Sequence, residues 1–358
     1  MLVLGIESSC DETAASVVKD GRTILSSVIF SQTELHTNFG GVVPELASRE
    51  HLQQIDPVVK EAVCKAGVDL SEIDAIAVTQ GPGLVGSLLV GVCYAKALAF
   101  GLDIPIFGVN HIEGHVYSVA FENPEIEYPA LALIVSGGHT NLFYIPEEGS
   151  YEVVSRTRDD AAGEAFDKVA KMLGLGYPGG PLIEKTAIEG NEKRFKFTTA
   201  KISDGKPDFS FSGLKTAVSR FIREESIVPV PPGEEPGEKV IDLAASFQFA
   251  VVNALISTLK KQAGERNPKT LIVAGGVACN LALRTAAEKM ASALALPVYF
   301  PSKALSTDNA AMIAAAGHFH LSRGERADLT MGADISMRLQ NIGVPDSQLR
   351  KRKVRYRL

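Results

Sequence analysis

A pattern that occurs twice constrains this chain more than any other feature. An apolar run, Leu2 to Ile6, ends in a small polar turn, Glu7-Ser8-Ser9-Cys10-Asp11-Glu12, and the chain returns from Thr13 through Ala14 to Val18. Later, Leu131 to Val135 ends in Ser136-Gly137-Gly138-His139 and returns from Thr140 to Ile145. Short apolar runs bounded by turn residues read as buried strands. An internal echo of a strand–turn–strand unit points to two related lobes.

The 358 residues suit two lobes, since a single core rarely grows beyond roughly 250–300 residues. Thr23 to Phe30 extends the opening pair through Asp20-Gly21, a hairpin turn. Three antiparallel strands at the start of an α/β chain fit a ribonuclease-H-like sheet better than a Rossmann one. Pro44 stands where a helix begins and Gly67 just past its end. Strands follow at Ile73 to Val78 and Ile104 to Val109, either side of a Gly- and Ala-rich helix to Phe100. In the second half, Ala161 to Leu173 reads as a helix and residues 174–181 as a rigid Gly/Pro loop. Val228 to Glu238 is the one linker-like segment. The expected division is residues 1–110 with about 308–340 as the first lobe, 111–307 as the second, and 341–358 as a basic tail.

Net charge is −6 and there is no Trp, so the chain as a whole is no basic nucleic-acid binder. Six of residues 350–357 are Lys or Arg, a local patch able to contact RNA phosphates. Cys10, Cys64, Cys93 and Cys279 form no C-x-x-C, which fits a reducing cytoplasm and neither a zinc ribbon nor a disulfide framework. The most apolar stretch, Leu84 to Leu102, is interrupted by Gly86, Gly91, Lys96 and Gly101. It reads as a buried helix rather than a membrane span, and no membrane partner is expected.

The strand ending at Val109 delivers Asn110 and then two histidines, His111 and His115. On a helix they lie about 40° apart on one face, close enough to share a metal ion. Two histidines at this spacing are also ordinary helix positions, and a site needs a third ligand. Asp308, in Ser306-Thr307-Asp308-Asn309, is the candidate; its other reading is a helix N-cap. Two histidines and a carboxylate leave coordination positions open, which suits a catalytic iron(II) or zinc ion. The zinc-protease motif H-E-x-x-H differs, because there the glutamate adjoins the first ligand. Here Glu113 is rotated about 200° from His111, so a peptidase would lack its base.

Three small-residue turns follow strands: Ser8-Ser9, Ser136-Gly137-Gly138 and Gly275-Gly276. Such turns let backbone amides approach a phosphate. Together they suggest a nucleotide cleft between lobes, as in the actin, Hsp70 and sugar-kinase (ASKHA) superfamily. Glu7 stands where that superfamily usually has Asp, and the longer side chain is expected to shift any Mg²⁺. Asp167 reads either as a cleft carboxylate or as a solvated partner of Lys168 or Lys171. Asn280 reads as a cap or a ligand contact, and Glu184 is an unassigned carboxylate.

Six ordered motifs together resemble the TsaD family of tRNA threonylcarbamoyl transferases over nearly the whole chain. They are Gly5-Ile6-Glu7-Ser8-Ser9-Cys10-Asp11-Glu12-Thr13, His111-Ile112-Glu113-Gly114-His115, Val135-Ser136-Gly137-Gly138-His139-Thr140, Tyr177-Pro178-Gly179-Gly180-Pro181, Phe209-Ser210-Phe211-Ser212-Gly213-Leu214-Lys215 and Ala274-Gly275-Gly276-Val277-Ala278. Length and linker resemble the bacterial branch. The resemblance implies transfer of a threonylcarbamoyl group from threonylcarbamoyl-AMP to the exocyclic amine of the adenosine 3′ of the anticodon, in tRNAs reading codons that begin with A. It implies His111, His115 and Asp308 as ligands of one divalent ion, iron(II) before zinc. It implies Ile134, Val135, Ser136, Gly137, Gly138, Asp167, Gly180 and Asn280 as the adenylate site. His139 and Asp167 are candidate bases. Expected partners are tRNA, a paralogous TsaB-type subunit and a small TsaE-type ATPase, with the helix around Glu45 to Val63 as an apolar docking face. A kinase or chaperone of the superfamily would have no use for the histidine pair, and a non-catalytic scaffold would be expected to lose it.

Overall fold

The computed structural model describes residues 1–123, 126–199 and 205–342. Two five-stranded sheets are built on one plan. The first contains β1 (Leu2–Glu7), β2 (Glu12–Lys19), β3 (Thr23–Ser31), β4 (Ala75–Gly81) and β5 (Ile106–Asn110), in the order β3-β2-β1-β4-β5. The second contains β6 (Ala130–Val135), β7 (Thr140–Ile145), β8 (Glu152–Arg156), β9 (Thr270–Ala274) and β10 (Val298–Tyr299), in the order β10-β9-β6-β7-β8. Each opening strand is central, antiparallel to its hairpin partner and parallel to the strand on its other side. Glu7 pairs with Ala14, and Val135 with Thr140, so Glu7 and Val135 hold equivalent strand ends.

The described residues form eleven α-helices: α1 (Thr33–Thr37), α2 (Pro44–Ala66), α3 (Val85–Leu102), α4 (His111–Ser118), α5 (Ala162–Leu173), α6 (Gly179–Ala187), α7 (Ser212–Glu224), α8 (Glu238–Arg266), α9 (Leu281–Ala293), α10 (Lys303–Ser306) and α11 (Ala310–Ser322). Strand alternation sorts them into layers. Leu4, Ile6, Ile76 and Val78 face α2 and α3, whereas Val3, Ala75, Ala77 and Val109 face α11. In the second sheet Leu131, Leu133 and Val135 face α5 and α8, whereas Ala132, Ile134 and Ile272 face Ile112 and Val116 of α4. Helices α4 and α11 therefore form the layer between the sheets.

Three expectations need correction. Helix α6 begins inside the run read as a rigid loop, because the Asp167 carboxylate accepts the Gly179 N–H at 2.7 Å. The expected apolar face on Glu45 to Val63 shrinks to Leu52, 67% exposed, because α2 turns Ala47, Ile55, Val58, Val59, Ala62 and Val63 inward. It is α3, expected to be buried, that keeps an apolar stripe outside, with Val85 49%, Leu89 44% and Phe100 74% exposed. By length and composition α3 and α8 could each cross a membrane; α8 is mostly buried in the fold, while α3 packs its other face on α2 and β4.

After α11 the chain forms a strap over both sheets. Ala327 donates to the Ile106 carbonyl, Asp334 to that of Gln80, and Asn341 to that of Tyr151. The basic run at 350–357 lies outside the described residues.

Candidate active site

Strand β5 hands the chain directly to α4, whose first turn is capped by Asn110: its side-chain oxygen accepts from Ile112 N at 2.9 Å and Glu113 N at 3.4 Å. That start places His111 and His115 on the side facing Asp308. His111 Nε2 lies 3.5 Å and His115 Nε2 3.2 Å from Asp308 Oδ1. The cap of α11 is Asn309, which accepts from Met312 N at 3.0 Å, so Asp308 is released from the capping role open to it. The three ligand atoms lie within 4.8 Å of one another, a spread that small side-chain movements bring to the roughly 4 Å one ion allows.

His111 Nδ1 is 3.0 Å from Glu7 Oε2, and Thr79 Oγ1 donates to the same oxygen at 2.6 Å. Glu7 is fully buried and turned toward the histidine, which replaces the expectation that it would shift a Mg²⁺ in the cleft. Sequence reasoning missed this role. Burial opposes charge on His111, but the Asp308 and Glu7 carboxylates outweigh it and raise its pKa to about 9. The same field attracts a cation, for which a proton competes. His115 is fully buried, and neither ring nitrogen has an aligned hydrogen-bond partner among the described residues. Leaving such atoms unmatched costs about 1–3 kcal/mol, which a metal ion on Nε2 would reduce.

A cleft of about 480 Å³ opens beside this cluster. Ser136, Gly137, Gly138, His139, Asp167, Gly180, Glu184, Asn280, His111 and Asp308 line it, drawn from both lobes. His115 lies behind it. Ile134 and Val135 do not reach it; their side chains fill the two faces of the second sheet, and only the turn they lead into is exposed to the cleft. A Cβ at Gly137, Gly138, Gly180 or Gly276 would meet no atom within 4 Å. Gly275 differs, because its φ of +92° and its approach to the Val135 carbonyl both require glycine.

Asp11 and Glu12 also line the cleft, so its carboxylates are Asp11, Glu12, Asp167, Glu184 and Asp308, and no Lys or Arg faces it among the described residues. Burial, then Asp11 and Asp308, push Glu12 well above the usual carboxylate range. Asp167 is raised to about 6 by burial, against the Gly179 hydrogen bond. Lys168 pairs with Asp160 and Glu164 instead of Asp167. His139 is lowered to about 3 by burial and then by the neighbouring histidines. Asn280 does cap α9, through Leu283 N at 3.0 Å, while its amide donates to Gln248 at 2.7 Å. Glu113 lies on the far side of α4, 3.1 Å from His320 Nε2, as its rotation on the helix requires.

Solved structures with this two-lobed fold include HypF from T. kodakarensis, with a TM-score of 0.60 and 16% identity over 90% of this chain and 48% of that one. Another is the component A of (R)-2-hydroxyglutaryl-CoA dehydratase from Acidaminococcus fermentans, with a TM-score of 0.53 and 14% identity over 90% of this chain and 99% of that one. These likenesses show the shared two-lobed α/β fold. Relatives named tRNA N6-adenosine threonylcarbamoyltransferase are far nearer in sequence. The protein from Koribacter versatilis is 50% identical across 95% of this chain and 99% of its own. That from Geobacter sp. (strain M21) is 51% identical across 94% of each. The model of the family described as TsaD, tRNA N6-adenosine threonylcarbamoyltransferase, matches residues 23–315, and the chain belongs to that family.

Proposed function

We infer that the protein transfers the L-threonylcarbamoyl group from threonylcarbamoyl-AMP to the exocyclic amine of the adenosine 3′ of the anticodon, in tRNAs reading codons that start with A. The amine nitrogen forms a bond to the carbamoyl carbon, the bond from that carbon to the phosphate oxygen breaks, the amine loses a proton, and AMP departs with the electron pair. One observation carries the chemistry: a cleft with open Gly turns is lined by the carboxyl groups of Asp11, Asp167, Glu184 and Asp308, with a fifth, Glu12, held toward its neutral form by burial, and by no Lys or Arg among the described residues. An anionic adenylate would be repelled there unless a cation stood between. We assign that cation to His111, His115 and Asp308, iron(II) before zinc; when bound it supplies Lewis-acid polarisation of phosphate or carbamoyl oxygens.

The chain's own groups do the rest. Backbone amides at Gly137, Gly138 and Gly276 approach the phosphate and oppose charge on departing AMP. Asp167 and Asn280 flank the nucleoside. An adenine amine is a poor nucleophile, so alignment matters more than a strong base. Of the two candidate proton acceptors, His139 is too weakly basic at a pKa of about 3, whereas Asp167 at about 6 is nearer the working pH.

The four unpaired cysteines suit the cytoplasm, where tRNA is modified. A TsaB-type paralogue and a TsaE-type ATPase are the proposed helpers, with the α3 stripe as the face for the paralogue. The deciding assay supplies threonylcarbamoyl-AMP, unmodified tRNA and these helpers, and reads modified adenosine by mass. None formed, with the proteins folded and assembled, removes the transferase reading.

A further inference from the structure

Helix α4 sends its ionisable side chains in opposite directions. At about 100° per residue, Glu113 points roughly 180° from the line midway between His111 and His115. Helix α11 meets both sides. Just before its start, Asp308 faces the two histidines. In its last turn, His320 Nε2 lies 3.1 Å from each oxygen of Glu113. Contacts at opposite ends of one helix and on opposite faces of the other mean that α11 crosses α4. Gly114 is the crossing point: a Cβ there would come within 2.9 Å of Ile313 Cδ1 and 3.0 Å of Met312 Cγ.

His320 is itself held. Its Nδ1 is 3.0 Å from Glu325, and its ring stacks on Phe107 of β5, with centroids 4.4 Å apart and planes 14° from parallel. The Glu113 side chain is 5% exposed and that of His320 15%, so solvent screens their attraction little. Helix α4 is only two turns long; Asn110 caps its start and Ile112 and Val116 pack on the second sheet, and the pair adds the charged contact on the face opposite the histidines that opposes a roll about its axis. A roll of about 20° would carry a ring nitrogen some 7 Å from the axis through about 2 Å. Metal–ligand distances tolerate only about 0.2 Å.

We propose that Glu113 and His320 are positioning residues for the metal centre, holding α4 in the roll that turns His111 and His115 toward Asp308. The inference rests on the reading of those three residues as ligands. It also gives the glutamate of the histidine motif a task other than catalysis.

The test titrates cobalt(II) into the full-length parent, His115→Ala, Glu113→Gln, His320→Gln and the Glu113→Gln/His320→Gln double variant. Chelator competition reads affinity, the visible d–d bands read ligand geometry, and urea midpoints read the fold. Each single positioning variant should bind about 10- to 100-fold more weakly, with altered bands. The double variant should lose no more than the worse single one, the non-additivity of a shared contact. A merely structural pair would lower the urea midpoint and leave affinity and bands of the folded protein unchanged. If His320→Gln fails to fold, Glu113→Gln, which keeps size and one hydrogen bond, decides alone. Parent-like binding in Glu113→Gln and His320→Gln, with none in His115→Ala, overturns this inference alone. A parent that takes up no cobalt overturns the metal reading with it.

Discussion

The carboxylate of Glu7 meets Nδ1 of His111 at 3.0 Å, joining the end of the first strand to the first turn of the helix between the sheets. A carboxylate on Nδ1 holds the proton there and leaves the Nε2 lone pair free for a metal. Glu7→Gln should therefore weaken metal binding about 10- to 100-fold while the far-ultraviolet dichroism stays unchanged. Chelator competition checks it; an unchanged affinity would deny Glu7 this role.

The glycine turns give a way to separate binding from folding. A Cβ at Gly138 meets nothing within 4 Å, so Gly138→Ala should shift stability by less than about 0.5 kcal/mol. The same methyl stands where a phosphate would approach the turn. AMP affinity, measured by calorimetry, should fall at least about tenfold, and unchanged affinity would move the phosphate elsewhere.

What could be read from the chain beforehand was what is local. The duplicated strand–turn–strand unit implied two lobes because turn chemistry and apolar runs act over a few residues. The histidine pair and the rotation of Glu113 followed from helix geometry alone. Glu7 could not be assigned its partner, because His111 lies 104 residues away and only the pairing of β1, β4 and β5 brings them together. Helix α6 was hidden by Pro178, Gly179, Gly180 and Pro181, weak helix formers whose first N–H is matched by Asp167 from another helix. The apolar stripe of α3 looked like core because composition does not say which face has a neighbour.

Gly5 tests how closely the central layer must approach the first sheet. A Cβ there would collide with the Ala310 carbonyl and lie 2.9 Å from Ala314 N and Cβ. Backbone cannot swing aside as a side chain can. Gly5→Ala should cost at least the ~1–3 kcal/mol of ordinary overpacking, and because Ala310 follows Asp308 closely it should weaken metal binding too. A urea midpoint equal to the parent's would show that α11 moves freely.

Leu89 is 44% exposed at the middle of the α3 stripe, so Leu89→Glu should leave the isolated chain within about 0.5 kcal/mol of the parent. Burying an unpaired carboxylate in an interface is costly, and co-elution with a TsaB-type subunit should be lost. Continued co-elution would place that partner on another face.

Asp167 sets stability against function. Its pKa is raised from 3.8 to about 6, chiefly by burial, so the folded state favours the protonated form. The associated stability is full below about pH 4 and is lost as pH rises through about 6, a difference of about 3 kcal/mol at most. Asp167→Asn keeps an oxygen for the Gly179 N–H but no longer titrates. The variant should therefore show a flatter stability profile between pH 4 and pH 7 and a higher urea midpoint than the parent at pH 7.5. If the ionised carboxylate also holds the nucleoside or takes the amine proton, the same variant should lose activity at pH 7.5 despite its gain in stability. Urea titrations across pH, run beside the transfer assay, read both effects. A parent profile already flat from pH 4 to pH 7 would mean that Asp167 is not strained by burial.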